Sequence, residues 1–200
     1  MKMLRQRVAP AALPHYLTSR TFAIGENALS LSLYDASITV YLQMLRNLTH
    51  FMNKAETYAA EEHVELSTLM EASLGHGMAP FTRQIQFASD AAKSGAARLA
   101  GVESPSMPDT ETTFPELKER IAKTIAFVES IKRDQVDGQE GRAVVLTFPG
   151  RTMEFTGQSF LLTFSLPNFL FHVTTAYGIL RSQGVPLGKM DFLAGAQAPA

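Results

Sequence analysis

Cysteine is absent from the 200-residue chain. Its absence excludes disulfides, cysteine nucleophiles and thiolate metal sites, and it agrees with a reducing, cytoplasmic setting. Tryptophan is absent too, so thirteen Phe and nine Met carry much of the bulky apolar content. An excess of one charge is also missing: 18 basic side chains face 19 acidic ones, for a net charge of -1. No global field therefore favours nucleic acid, and the basic residues form no stripe interleaved with aromatics. Long uncharged runs are lacking as well. The most apolar stretch, 160–173, falls short of the roughly 20 residues a bilayer span needs and carries Asn168 and His172, which are costly in lipid. Neither a membrane nor a nucleic acid is an expected partner. Phosphate-cradling glycine loops, HExxH pairs and serine elbows are not found either.

What is present is helical periodicity. The first 30 residues carry Lys2, Arg5, Arg7 and Arg20 with no acid before Glu26, and read as a flexible N-terminal extension. A first helix is expected over about 35–60, with Ile38, Tyr41, Leu45, Leu48, Met52 and Ala55 on one stripe and Asn47 and His50 off it. His63 also reads as a surface residue. A second helix is expected over about 80–99, after the bend at Gly75, His76 and Gly77. The third has a capping box, Thr113 with Glu116, and Pro115 in its first turn. Lys118, Glu119, Arg120, Lys123 and Glu129 read as its solvent-facing side, and the acid-rich linker before it as solvated. Residues 142–148 and 151–155 alternate as two strands about the Pro149–Gly150 turn. A fourth helix runs from a cap at Thr156 to a stop at Gly184, bent near Pro167. Residues 194–200 read as a disordered tail. The expected architecture is an all-α four-helix bundle with a small β-hairpin between helices 3 and 4.

Four blocks of this sequence occur in the same order in a known family: SLYDAS at 32–37, TRQIQFASDAAKSGAARLAG at 82–101, PDTETTFPELKERIAKTIAFVES at 108–130, and FTGQSFLLTFSLPNFLFHVTTAYGILRSQGVPLGKMDFL at 155–193. On these blocks the chain resembles the DUF1993 family, within the DinB/YfiT-like metalloenzyme superfamily. The resemblance spans about 31–193 and implies an up-down-down-up, DinB-like four-helix bundle. Many relatives bind a divalent metal, such as zinc, nickel or iron, through one histidine of the second helix and two, four residues apart, on the fourth. Some are thiol-dependent transferases or isomerases. Here His172 fits the second histidine of that pair, Asn168 replaces the first, and Gln84 is the nearest inward polar group on the second helix.

Asn168 and His172 share a helical face. With Gln84 they admit three readings: a mutually satisfied hydrogen-bond network, a small-ligand pocket, or a weak metal site using His172. His76 could supply a second imidazole at one bundle end, or be a plain loop residue. Tyr41 and Tyr177 could turn hydroxyls into a pocket, or pack as core rings. Arg83 could anchor an anion, or form a structural ion pair with an acid at the bundle edge. The leading functional expectation is a helical-bundle protein with a degenerate ancestral metal centre, serving as a small-ligand binding or assembly module, with a homodimer as an expected form. The alternative is a metal-assisted or thiol-dependent transferase- or isomerase-like enzyme using His172.

Overall fold

Four long helices bury their apolar stripes against one another; side-chain caps at Ser32, Thr113 and Thr156 start the first, third and fourth, and Pro80 precedes the second. The structure is a computed structural model and describes residues 31–197. Helix α1 (Leu33–Glu61) begins at Ser32, whose hydroxyl accepts the Asp35 amide at 3.1 Å. A short α2 (Leu66–Glu71) leads into α3 (Phe81–Ala100), which stops at Gly101 in the left-handed conformation. Helix α4 (Phe114–Ser130) carries the full Thr113–Glu116 capping box. One turn, α5 (Arg133–Val136), precedes the antiparallel strands β1 (Ala143–Phe148) and β2 (Arg151–Thr156). The return helix comes in three parts. These are α6 (Gly157–Phe160), a π-helical turn (Leu161–Ser165) and α7 (Leu166–Ser182). Finally α8 (Lys189–Ala194) and a 3-10 turn (Gly195–Gln197) follow.

Side-chain pairs set the directions. Arg46 meets Glu129 and Glu56 meets Lys118, so α1 and α4 run antiparallel. Tyr41 meets Phe169 and Tyr58 meets Gln183, so α1 and α7 run parallel. Phe81 stacks on Phe114 and Ser89 bonds Thr124, which makes α3 and α4 parallel. The result is the up-down-down-up bundle, with α3 between α4 and α7 and across from α1. The core runs down its middle through Tyr41, Leu48, Ile85, Ile121, Phe169 and Ile179, all fully buried.

The bend expected near Pro167 is a π-turn. Proline has no amide to offer Thr163, and its ring crowds that carbonyl; widening the preceding turn by one residue relieves the clash, and the Leu166 amide reaches back to Leu161 instead. The turn presents Phe160 and Phe164 to the hairpin. Phe155 lies 5.9 Å from each of them and Phe148 lies 6.4 Å from Phe164, so this aromatic cluster supports two strands that would be marginal alone.

Several expectations need correction. Arg120 is not solvent-facing: it is 2% exposed, and Asp90, Asp109 and Glu111 surround its guanidinium. The acidic linker is therefore docked rather than merely solvated. Asn47 is buried and bonds the Phe192 carbonyl at 2.7 Å. His50 is half-buried against Asp191, whereas His63 is exposed as expected. Within the expected tail, residues 195–197 form a 3-10 turn and Gly195 lies against Asn47. The expected extension, 1–30, and residues 198–200 lie outside the described residues.

Asp191 fastens this end of the chain to α1. One carboxylate oxygen takes a hydrogen bond from His50 at 2.7 Å and another from Lys54 at 3.1 Å; the second oxygen takes the Gly188 amide at 2.6 Å. Burial alone would raise its pKa, but the Gly188 amide, His50 and Lys54 together hold it at about 2. A depressed carboxylate pKa contributes stability above the ordinary value, and that contribution is lost as pH falls through about 2. Asp191→Asn is expected to speed amide exchange across 185–197 by about tenfold or more, as the loss of the charge-assisted bonds from His50 and Lys54 implies, while α3 and α4 stay protected. Unchanged exchange in that segment would show that Asp191 does not hold it.

Candidate functional site

A cavity of about 280 Å³ opens where α3 faces the π-turn and the start of α7, beneath the hairpin. One face of α3 forms its floor. Phe87, Asp90, Ala91, Ser94, Gly95 and Arg98 recur at alternating intervals of three residues and one, as neighbours on one helical face do. Leu146, Thr147 and Phe148 of β1 cover it, and Phe160, Phe164, Ser165, Asn168 and His172 form the far wall. Four phenyl rings give the walls much of their apolar surface and seven of the fourteen lining residues are polar or charged, a mixture compatible with a small-molecule site.

His172 and Gln84 do meet. Gln84 is 2% exposed and gives its amide nitrogen to the Ala79 carbonyl at 3.0 Å. Its oxygen therefore faces His172 Nδ1, 2.9 Å away, and can only accept, so the imidazole carries its proton on Nδ1. Burial lowers the His172 pKa, so the ring is neutral at pH 7. Nε2 is then a bare lone pair, without a hydrogen-bond donor among the described residues. The ring is held between Phe87, at 5.0 Å, and Phe171, at 5.3 Å.

The remaining candidates separate. Asn168 lines the same cavity but is exposed, and it bonds neither Gln84 nor His172 among the described residues. The three-way network read from the sequence is thus a Gln84–His172 pair with Asn168 beside the opening. Tyr41 is fully buried; its hydroxyl shares a 2.7 Å hydrogen bond with Ser165, which stands between it and the cavity. Burial raises the Tyr41 pKa despite that bond, so the phenol stays neutral. Tyr177 packs against Phe51 and Phe192, away from the cavity lining. His76 is exposed on its loop with φ of +50°. Arg83 pairs with Asp109 at 2.7 Å and lies over the Phe87 ring.

Periodicity alone did not mark Ser94, Arg98 or Ser165 as cavity residues. Their recurrence with Phe87 and Ala91 on one face of α3 was visible for the first two. Ser165 is placed by the π-turn and could not be read that way.

The donor set decides how a metal would fare. Gln84 Oε1 is committed to His172 Nδ1–H, which leaves one imidazole nitrogen and the exposed Asn168 amide. Among the described residues no three of His, Cys, Asp and Glu come together as a metal site requires. These residues do not compose a tight site for zinc, nickel or iron, which favours three or more good ligands. Among the described residues, no helix is long and apolar enough to cross a membrane.

The up-down-down-up bundle with its small antiparallel hairpin is a DinB-like architecture. The chain belongs to the family described as a domain of unknown function, DUF1993, which matches residues 33–193. A crystal structure described as a DinB family member from Shewanella denitrificans is similar to it, with 35% identity and a TM-score of 0.74, covering 84% of this chain and 95% of that one. A comparison with curated proteins returns no match.

Proposed function

We propose that this protein binds a small, largely apolar molecule in the α3–hairpin cavity, with His172 Nε2 as its polar anchor in place of a metal-held ligand. The observation that carries the reading is the pairing of Gln84 with His172. It neutralises one imidazole nitrogen's hydrogen-bonding need inside the bundle and leaves the other beside a phenyl-lined space. His172 lines the cavity, where a ligand N–H or O–H would meet the free Nε2 lone pair as a donor.

The test is a titration with phenylnaphthylamine, an uncharged dye that fluoresces in apolar surroundings. The absence of tryptophan leaves little intrinsic signal to confuse it. Saturable binding is expected. Ala91→Phe, or Ser94→Leu should the first disturb folding, fills the cavity from its floor and is expected to weaken binding about tenfold or more, the scale of roughly 1.4 kcal/mol. Helical circular dichroism should be unchanged. Binding that survives both substitutions would place the dye elsewhere and remove the reading.

A second reading rests on the same Nε2. A neutral imidazole beside a cavity is also suited to take a proton from a bound substrate, as a transferase or isomerase would need. A thiol for such a reaction would have to arrive with the co-substrate, since the chain has none. Turnover abolished by His172→Phe, with dye binding kept, would favour this reading over simple binding.

A further inference from the structure

The charges around the cavity are unevenly compensated. Asp90 is the acid in the lining, and it is already held by Lys93 at 3.1 Å and by Arg120 at 2.8 Å. Arg98 is the base in the lining, and it has no carboxylate within ion-pair distance among the described residues; its guanidinium donates to the Ser94 carbonyl of its own helix at 3.1 Å. Arg46, Arg83, Arg120 and Arg133 each meet at least one acid, whereas Arg181 on α7 donates to the Leu187 carbonyl and, like Arg98, meets no acid among the described residues. The cavity is therefore left with an uncompensated positive charge at one end.

That end lies opposite His172. Phe87 touches the imidazole, and Arg98 follows eleven residues later on the same face of α3, about 16 Å further along the axis at 1.5 Å per residue. Between them stand Ala91, Ser94 and Gly95 below and the rings of Phe148, Phe160 and Phe164 above. Phenyl rings, Ala91 and Gly95 give the middle of the space its apolar surface, Asp90, Ser94, Thr147 and Ser165 also line it, and its two ends differ. His172 offers a neutral acceptor, whereas Arg98 offers a forked cation suited to two parallel hydrogen bonds with a carboxylate, sulfonate or phosphate.

We infer that the ligand of this cavity is an elongated organic anion: an apolar aryl or acyl body lying under the hairpin, with a single anionic head bound by Arg98. The inference rests on the binding reading above and adds the head group and its receptor.

Two dyes that differ in one substituent test it: anilinonaphthalene sulfonate and phenylnaphthylamine share a body, and the first adds an anionic sulfonate. The full chain is expected to bind the sulfonate about tenfold tighter at low salt, the worth of a charge-assisted hydrogen bond in a partly wet site. Arg98→Gln should remove that preference and leave the uncharged dye within about twofold of the parent. Arg98→Lys should restore part of it, since the charge returns without the fork. Raising ionic strength from about 0.05 to 0.5 M should narrow the gap between the dyes in the parent but not in Arg98→Gln.

Equal binding of both dyes, or equal loss of both in Arg98→Gln, would overturn the anionic head. If at the same time Ala91→Phe abolishes binding of the uncharged dye, the pocket stands and the head-group assignment alone falls. If neither dye binds the parent, the binding reading fails and this inference fails with it.

Discussion

Arg120→Met is expected to lower the melting temperature by about 5–15 °C, from a loss of about 2–4 kcal/mol. The Arg120 side chain is 1% exposed and crosses from α4 to three carboxylates: Asp90 on α3 at 2.8 Å, Asp109 at 3.0 Å and Glu111 at 2.9 Å. It also donates to the Pro108 carbonyl at 3.2 Å. One guanidinium thus fixes the 102–113 connection to two helices at once. Methionine fills part of the volume but strands the acids, and Glu111, whose side chain is 11% exposed, suffers most. Asp90 and Asp109 keep more water, with side chains 41% and 32% exposed, and this keeps the estimate below the full cost of breaking a deeply buried pair.

Two comparisons isolate the mechanism. Arg120→Lys keeps the charge but cannot reach three acids with a single ammonium, so an intermediate loss is expected. Arg120→Met with Glu111→Gln should recover part of the loss, because the stranded charge is gone. Acid titration gives a third reading. Burial alone would raise the Glu111 pKa, but hydrogen bonds from Arg120 and Gln86 override it and hold the group below its ordinary value. Such a carboxylate stabilises the fold above the unfolded pKa, about 4.3, and the contribution fades as pH falls through the lower folded value. In Arg120→Met that acid-side loss should shrink. A melting temperature within about 2 °C of the parent would show that the network is incidental.

Arg120 also marks the boundary of what the sequence could disclose. Its helix was legible to the residue: Thr113 and Glu116 bond each other's backbone as a capping box, and Ile121 and Val128 lie in the core as their spacing implies. Its burial was not, because the partners sit on a linker without periodicity and on a helix 30 residues away. The pairing of His50 with Asp191, 141 residues apart, was hidden for the same reason. Patterns every three or four residues describe one helix face; they do not say which distant loop folds over it.

The site divides along the same line. The resemblance to the family led to Gln84 and His172 as neighbours, and the spacing from Asn168 to His172 put both along one wall of the cavity. The roof was not foreseeable. The turn at Pro149 and Gly150, with Gly150 at φ of +75°, announces a hairpin, but only the docking of Phe148 and Phe155 onto Phe164 makes it a lid over α3. Nor does a proline at 167 disclose a π-turn. A kink and a π-turn relieve the same clash, and the choice depends on what packs inside the bend.

What packs there is Gly95, and this predicts that Gly95→Ala will cost about 1–3 kcal/mol, although alanine ordinarily favours a helix. A methyl group at 95 would lie 2.5 Å from Ser165 Oγ and 2.6 Å from the Tyr41 hydroxyl oxygen, with the Tyr41 Cζ at 3.0 Å. Both oxygens are bonded to each other, so moving either one aside breaks that bond. Either α3 moves off the π-turn or the Tyr41–Ser165 hydrogen bond breaks, and both changes deform the cavity wall that Ser165 provides. Dye affinity should therefore fall together with stability.

Removing the obstacle tests the cause. Tyr41→Phe with Ser165→Ala deletes both oxygens as a pair, which leaves no buried group unsatisfied and is expected to be mild alone. Placed in that background, Gly95→Ala should cost less than it does in the parent by about 1 kcal/mol or more, the signature of groups in direct contact. The Cζ contact persists, so rescue should be partial. Strict additivity of the three changes, read from thermal or denaturant unfolding, would show that the close approach of α3 to the π-turn does not depend on a glycine at this position.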